Sequence, residues 1–359
     1  MILVTKPFSP PIDEYNEKIK GIWDRNYFTN NGPLVQQLEQ ELCEYLNVAS
    51  VSYLTNGTIS LQIALKMLPN KGKILTTPFS YIATSSSIVW EGFTPVFVDI
   101  DPSTFNVDVS QIEQNIDNET VGMLFTHCFG VPCDLERIDQ LSNKYSIPVI
   151  YDAAHAFGVK YKGKSILNYG WMSSLSFHAT KLFHTVEGGA LICSDQEKIK
   201  KIELYRNFGH DGPEVFSAVG INGKNSEFHA AMGLCNLKYI DAILSKRKEQ
   251  YTLYKESLAD EKLIFQKFEK DVDYNYAYFP IVFENENVLK SVVTALNTNE
   301  IYPRRYFYPS LNTLEVFRSF HVECPNAERV ASSILCLPIY HEIQKSEIEM
   351  ICKIVKDHI

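Results

Sequence analysis

The sequence predicts an α/β fold, with a large domain on a mostly parallel sheet and a smaller C-terminal α+β unit. Three observations carry that expectation. Short apolar runs at 73–77, 95–99, 121–127 and 147–152 are separated by helical stretches, the pattern of a sheet covered on both faces. The alternation changes near residue 226, where a long helical region runs into Ser245-Lys246-Arg247-Lys248-Glu249. The length of 359 residues, 45% of them apolar, is enough for two cores. One domain is therefore expected over 1–245, including an N-terminal arm, and a second over 246–359.

Each element has its own signal. Leu34, Leu38, Leu42 and Tyr45 mark one helical face, and Leu61, Ala64, Leu65 and Leu68 mark another over 58–68. Asp134 stands as the N-cap of a helix whose Leu135, Ile138, Leu141 and Tyr145 point inward. Residues 172–177 read as a strand, and Gly188-Gly189 lets a second strand start tightly at 189–193. In the C-terminal unit, strands near Tyr276–Phe283 and 335–339 flank a helix near 287–298. The last helix begins at Ser346, with Glu349 in capping-box position and Ile351, Ile354 and Val355 buried.

Composition removes several function classes. With 34 basic against 43 acidic side chains and a net charge of −9, the chain lacks the basic surplus of a nucleic-acid protein. A local positive pocket for a small anion remains open. Eight cysteines are scattered singly, and Cys128 and Cys133 beside His127 read as sheet core, so no metal site is expected. Unpaired cysteines fit a reducing cytosol. The stretch Met1–Pro7 lacks a signal-peptide pattern, and no apolar run reaches the roughly 18 residues that span a bilayer. A cytoplasmic protein without a membrane partner is the expectation.

The chemistry concentrates at four points. Lys181 lies in Ser176-Phe177-His178-Ala179-Thr180-Lys181, in a loop between two strands, with Glu187-Gly188-Gly189-Ala190 downstream. A lysine in a loop is ordinarily a solvated charge, but an amine held at the mouth of a sheet can condense with an aldehyde. Asn56-Gly57-Thr58 opens a helix, where free N–H groups and the helix dipole suit a phosphate; a plain helix cap is the alternative. Asp152, in Tyr151-Asp152-Ala153-Ala154-His155, ends an apolar strand and could hold a pyridine nitrogen protonated, with His155 on a ring hydroxyl; alternatively Asp152 caps the next turn. Tyr81, after the strand ending near residue 77, could stack on a flat ring or simply pack in the core. Together they supply a phosphate cradle, a stacking ring, an acid for a ring nitrogen and an aldehyde-reactive lysine, as a pyridoxal phosphate enzyme requires.

The same residues resemble the sugar-nucleotide aminotransferases of the DegT/StrS group, over nearly the whole chain from about Pro10. The family pattern S-F-H-x-x-K with a Gly-Gly pair is matched by Ser176, Phe177, His178, Lys181, Gly188 and Gly189. The resemblance implies an aspartate-aminotransferase-like (fold type I) architecture and pyridoxal phosphate as cofactor. It implies that Lys181 bonds the cofactor aldehyde, Asp152 meets the ring nitrogen, His155 the ring hydroxyl, and Tyr81 the ring face. Gly57, Thr58 and Ser176 would bind the phosphate. A family asparagine from the neighbouring subunit corresponds to Asn222 in Gly220-Ile221-Asn222-Gly223-Lys224, with Asn225 the second candidate; Lys224 replaces the usual arginine and loses its fork. A homodimer with shared sites follows.

Within the family, Thr29–Pro33, Arg206–Gly212 and Tyr306–Leu311 look like the branch that makes dTDP-4-amino-4,6-dideoxyglucose from a 4-keto sugar nucleotide and glutamate, for polysaccharide or O-antigen assembly. His184, Glu187, Arg206 and Tyr308 are expected near the pocket mouth. Arg304 and Arg305 would meet a diphosphate or form an ordinary solvated turn. The alternatives are a sister transaminase giving the galacto epimer or using a 3-keto sugar, a sugar dehydratase, and a non-catalytic sensor. Dehydratase relatives carry histidine where this chain has Lys181, and the intact Lys181, Asp152 and Asn222 oppose the sensor.

Overall fold

The computed structural model describes residues 1–259 and 262–359. Seven strands form the large sheet: β1 (Ser52–Leu54), β2 (Lys73–Thr76), β3 (Thr94–Phe97), β4 (Thr120–Thr126), β5 (Val149–Asp152), β6 (Met172–Ser176) and β7 (Gly189–Ile192). Their spatial order is β1-β7-β6-β5-β4-β2-β3. The strands from β6 to β3 are parallel and β7 alone runs antiparallel, to both β1 and β6. The mostly parallel sheet is therefore present, and the carboxyl ends of β2, β4, β5 and β6 lie along one edge, where such folds place ligands.

Helices cover both faces. α1 (Ile12–Arg25), α2 (Pro33–Leu46), α5 (Leu135–Tyr145) and α7 (Glu227–Leu237) contribute to one core cluster; α3 (Gly57–Lys66), α4 (Ile82–Trp90) and α6 (Gln196–Arg206) to that of the opposite face. The apolar stripe of α2 behaves as the periodicity requires, with Leu34, Leu38 and Leu42 buried. Asp134 caps α5 by accepting from Arg137 N at 3.1 Å, but Tyr145 stays exposed and donates to Glu113.

Beyond residue 226 the expected single helical region is two helices, α7 and α8 (Ile240–Ser257), because the chain turns at Lys238–Tyr239. α8 buries Ile240 and Ile243 in the large core and Tyr251 and Tyr254 in the C-terminal one. We propose that the domain division lies inside this helix, near residue 245. The C-terminal unit has a three-stranded sheet, β8 (Ile264–Phe265), β9 (Phe279–Val282) and β10 (Ile334–Leu337), with β9 central. It carries α9 (Glu286–Thr298), α10 (Pro325–Ser333) and α11 (Lys345–Lys356). The capping box of α11 pairs Gln344 with Glu347, two residues before the expected Ser346–Glu349, since the N-cap is Gln344 and the helix begins at Lys345.

A third apolar cluster joins the two units at the ligand edge. Phe79, Phe105 and Phe129 from the sheet side pack with Phe307, Leu311 and Ile334. Asp99, just past β3, accepts from the first amides of α10, Asn326 N and Ala327 N, at 2.9 Å each. A buried carboxylate at a helix N-terminus satisfies donors with no intrahelical partner.

Candidate active site

Asp152 closes β5 in the middle of the sheet edge, opposite Thr126 of β4 and Ser174 of β6. It is only 6% exposed. Its Oδ2 accepts from Thr84 Oγ1 at 2.6 Å and its Oδ1 from Ala154 N at 3.1 Å. Burial pushes its pKa up, while those two hydrogen bonds and the Lys181 charge pull the other way.

Lys181 sits in the loop joining β6 to β7. The loop is pinned at its base by Phe177 N donating to Gly188 O (2.8 Å) and Thr185 N to Phe177 O (2.9 Å). Phe177, Leu182 and Phe183 are buried beneath it. Inside the loop Lys181 N donates to His178 O, so the side chain leaves a tight turn toward the sheet edge. Desolvation lowers the Lys181 pKa to about 8, against an upward pull from Asp152. A larger share of the amine is therefore neutral and nucleophilic near neutral pH.

The strand does start at Gly189, as expected, and the Gly-Gly pair also permits close packing. A Cβ on Gly189 would lie 2.3–2.6 Å from Asn56 C, Asn56 O and Gly57 N, and one on Gly188 would lie 2.0 Å from Thr185 Oγ1. Gly189 lets β7 press directly against the loop that opens α3, and Gly188 makes room for Thr185 and the Tyr53 ring. There Asn56 is the N-cap, accepting from Ile59 N at 2.9 Å. Gly57 is packed so closely that its Cβ would meet Ser176 Cβ at 3.0 Å, and its carbonyl accepts from Ser174 Oγ at 3.2 Å. The first-turn amides at Gly57 and Thr58 have no carbonyl one turn back to bond. With the Ser176 hydroxyl beside them they are able to hold an anion.

His155 lies three residues after Asp152 and is buried. Its Nδ1 accepts from Phe129 N at 3.1 Å, which leaves the proton on Nε2. Burial holds its pKa well below the ordinary value, so the ring is neutral. Its plane is fixed by parallel rings, Phe129 at 6.0 Å and Phe307 at 5.7 Å. Tyr81 is the residue preceding α4 and is 61% exposed, an aromatic face open at the same edge.

Comparison with known proteins agrees with this geometry. Residues 12–356 match the DegT/DnrJ/EryC1/StrS aminotransferase family. The chain belongs to that family. It is 40% identical over 363 residues to a dTDP-4-amino-4,6-dideoxy-D-glucose transaminase of Shigella dysenteriae, covering 99% of this chain and 98% of that protein. A protein of the same name from Escherichia coli is 38% identical, covering 99% and 97%. Among solved structures, DesI in the presence of its TDP-sugar product superposes with a TM-score of 0.93 at 28% identity, covering 99% of this chain and 92% of that one.

The cofactor of this DegT/StrS-type aminotransferase is pyridoxal phosphate, and the residues present fit it. The cradle at Gly57 and Gly189 has no room for side chains but presents amides, as a phosphate requires. A buried carboxylate and a neutral histidine donor stand behind a partly buried lysine.

Outside the cofactor set, the structure divides the candidates. Arg206 does not stand at the pocket mouth: it is 3% exposed, pairs with Glu39 at 2.5 Å and with Glu203, and donates to Tyr53 O at 3.0 Å. It ties α6 to α2 and β1, because a buried guanidinium must satisfy its donors internally. His184 is also internal, with Nε2 bonded to Phe8 O at 2.8 Å and Nδ1 accepting from Val186 N; it anchors the N-terminal arm. Arg305 is not a free phosphate fork, since it donates to Glu286 (3.0 Å) and Ser332 O (2.8 Å) and lies 3.4 Å over the Tyr308 ring. Glu187, Arg304 and Tyr308 are exposed, with Glu187 3.6 Å from His178.

The two asparagines separate as well. Asn225 is buried, donating to Tyr53 Oη, Leu54 O and Glu187 O. Asn222 is exposed and accepts from Lys224 Nζ at 3.0 Å. Sequence reasoning gave no role to Thr84, Ser80 or Thr126 around Asp152, nor to the Phe129 and Phe307 rings around His155. The only available signal was that Thr84 falls one turn after Tyr81.

Proposed function

We propose that this enzyme transfers the amino group of L-glutamate to dTDP-4-keto-6-deoxy-D-glucose, giving dTDP-4-amino-4,6-dideoxy-D-glucose. The observation that carries the chemistry is a desolvated Lys181 amine within electrostatic reach of the buried Asp152 carboxylate at one sheet edge. The substrate follows from the relatives: two transaminases named for this amino sugar align with essentially the whole chain at 38–40% identity.

Bound pyridoxal phosphate supplies a protonated ring that stabilises negative charge at the reacting carbon. Lys181 would anchor its aldehyde end, Asp152 would meet the ring nitrogen, and His155 would offer Nε2–H to the ring oxygen. Tyr81 would stack on the ring, and the amides of Gly57 and Thr58 with the Ser176 hydroxyl would hold the phosphate. During turnover Lys181 Nζ takes the proton from the α-carbon of glutamate and, in the second half-reaction, delivers one to C4 of the sugar. Glu187, Arg304 and Tyr308 are the exposed groups proposed to meet the sugar nucleotide.

Asn222 of a second copy would complete the phosphate site, so the working form is a homodimer. Exposed apolar surface supports this: Phe216, Val219 and Ile221 are exposed in the segment leading to Asn222, and Trp23 packs edge-on to Phe28 and Phe228 while 60% exposed. No helix among the described residues is long and apolar enough to cross a membrane. We place the enzyme in the cytoplasm, supplying an amino sugar for polysaccharide or O-antigen assembly.

The deciding experiment is NMR of the product formed from dTDP-4-keto-6-deoxyglucose, glutamate and cofactor-loaded enzyme. A large H3–H4 coupling means an equatorial amine and the gluco product. A small coupling moves the enzyme to the galacto branch. Absence of any amino sugar rejects the 4-keto substrate and turns attention to 3-keto or UDP-linked sugars.

A further inference from the structure

We propose that Thr126, Ser80 and Thr84 form a directed hydroxyl relay that fixes the orientation and charge of the Asp152 carboxylate, with Thr84 as its positioning residue. The inference rests on the reading of Asp152 as partner of the cofactor's ring nitrogen.

The three hydroxyls come from separate elements. Thr126 ends β4, Ser80 lies in the turn after β2, and Thr84 is in the first turn of α4. All three are buried. Thr126 Oγ1 lies 2.8 Å from Ser80 Oγ, Ser80 Oγ lies 2.7 Å from Thr84 Oγ1, and Thr84 Oγ1 lies 2.6 Å from Asp152 Oδ2.

Proton counting sets the direction. Each hydroxyl carries one proton, and an ionised carboxylate can only accept. The Thr84 proton therefore points to Asp152 Oδ2. The Thr84 oxygen must then accept from Ser80, and the Ser80 oxygen from Thr126. Every O–H dipole in the line presents its positive end toward the carboxylate, and such chains polarise one another in a low-dielectric interior.

The Ala154 amide holds the other carboxylate oxygen at 3.1 Å, so the plane is clamped at both ends. Each oxygen keeps a lone-pair direction for the cofactor ring. Burial alone opposes a charged Asp152, and the relay offsets that opposition from behind. The titratable groups that act on the same carboxylate are Lys181, from the β6–β7 loop, and Cys128, past β4, whose buried thiol is pushed up and stays neutral. His155 is held neutral by burial and by the nearby Lys181 charge, so it adds no charge of its own at the carboxylate.

The test compares wild type, T84V, T84S, S80A, D152N and the T84V/D152N double variant. The readouts are pyridoxal phosphate affinity by equilibrium dialysis and the pH dependence of the bound cofactor's visible band. T84V removes a hydrogen bond to a charged group, so affinity falls by about tenfold or more, and the band's pH transition shifts. T84S restores the hydroxyl and recovers affinity to within about threefold of wild type, and S80A, one link removed, falls between. In the D152N background T84V adds little, because its partner is gone.

Wild-type affinity and band in T84V overturn the relay, as does a T84S variant as damaged as T84V, or full additivity with D152N. If D152N itself binds the cofactor as wild type does, the ring-nitrogen reading of Asp152 fails and takes the relay with it. A weak D152N beside an intact T84V sinks the relay alone. Should T84V not fold, S80A decides: weakened cofactor binding at unchanged apoprotein Tm supports the relay, and unchanged binding rejects it.

Discussion

Labelling the apoprotein with trinitrobenzenesulfonate across about pH 6 to 11, with mass spectrometry of the Lys181 peptide, measures the amine that the proposed chemistry depends on. Only the neutral amine reacts. An ordinary lysine titrates near 10.4, so about one amine in 2,500 is neutral at pH 7. Desolvation at Lys181 lowers its value to about 8, which makes roughly one in ten neutral, a gain of order 200-fold.

Asp152 opposes that gain, because its negative charge raises the lysine. In D152N the opposing charge is gone and the labelling midpoint moves below that of wild type. Surface lysines in the same digest supply the reference. A wild-type midpoint near 10.4, or a D152N midpoint that rises, would refute the reasoning.

The same displacement has a stability consequence with a fixed sign. Between about pH 8 and 10.4 the unfolded chain holds a proton at Lys181 that the folded chain has lost, so this residue adds stability as pH climbs through that window. The buried charge is a full burden below it. Lys181→Met apoprotein is therefore more heat-stable than wild type at pH 7, and the advantage closes toward about pH 10.4.

The remaining predictions concern the frame of the site. Gly189→Ala pushes a Cβ into the Asn56–Gly57 backbone; overpacking of this kind costs about 1–3 kcal/mol, read by denaturant midpoint, and the displaced cradle weakens the cofactor at least about tenfold by equilibrium dialysis. Arg206→Met leaves Glu39 buried without its partner, a loss of about 3–5 kcal/mol seen as a lower apoprotein Tm, whereas a sugar-binding role would raise KM at normal Tm. Asn225→Ala removes three internal acceptors' donor and lowers stability by about 1–3 kcal/mol. Asn222→Ala leaves Tm in place and weakens cofactor binding in the dimer; the opposite pattern would exchange the roles of the two asparagines.

How much was legible follows from what each residue type can do alone. Alternating apolar runs and helical stripes led to the right layers, because burial of one face is a local, periodic requirement. Lys181, Asp152, His155 and the Asn56-Gly57-Thr58 turn were legible because strand ends and helix starts place them on one edge. Boundaries slipped where a single turn decides, as at Lys238–Tyr239 and at the start of α11.

The side chains misjudged were long or polar ones whose partners lie far along the chain. Arg206 was expected at the pocket mouth, yet Glu39 and Tyr53, more than 150 residues away, hold it in the core. His184 is claimed by Phe8, and Arg305 by Glu286 and Ser332. Thr84 carried only its spacing of one turn from Tyr81, since a hydroxyl in a helix takes its meaning from the carboxylate it meets. By itself the sequence determined the layers, the loop lysine and the cofactor class, which rest on periodicity and short motifs. Only the tertiary structure decided which polar groups remain free for a ligand, because a buried donor or acceptor must be satisfied by whichever distant partner the fold delivers.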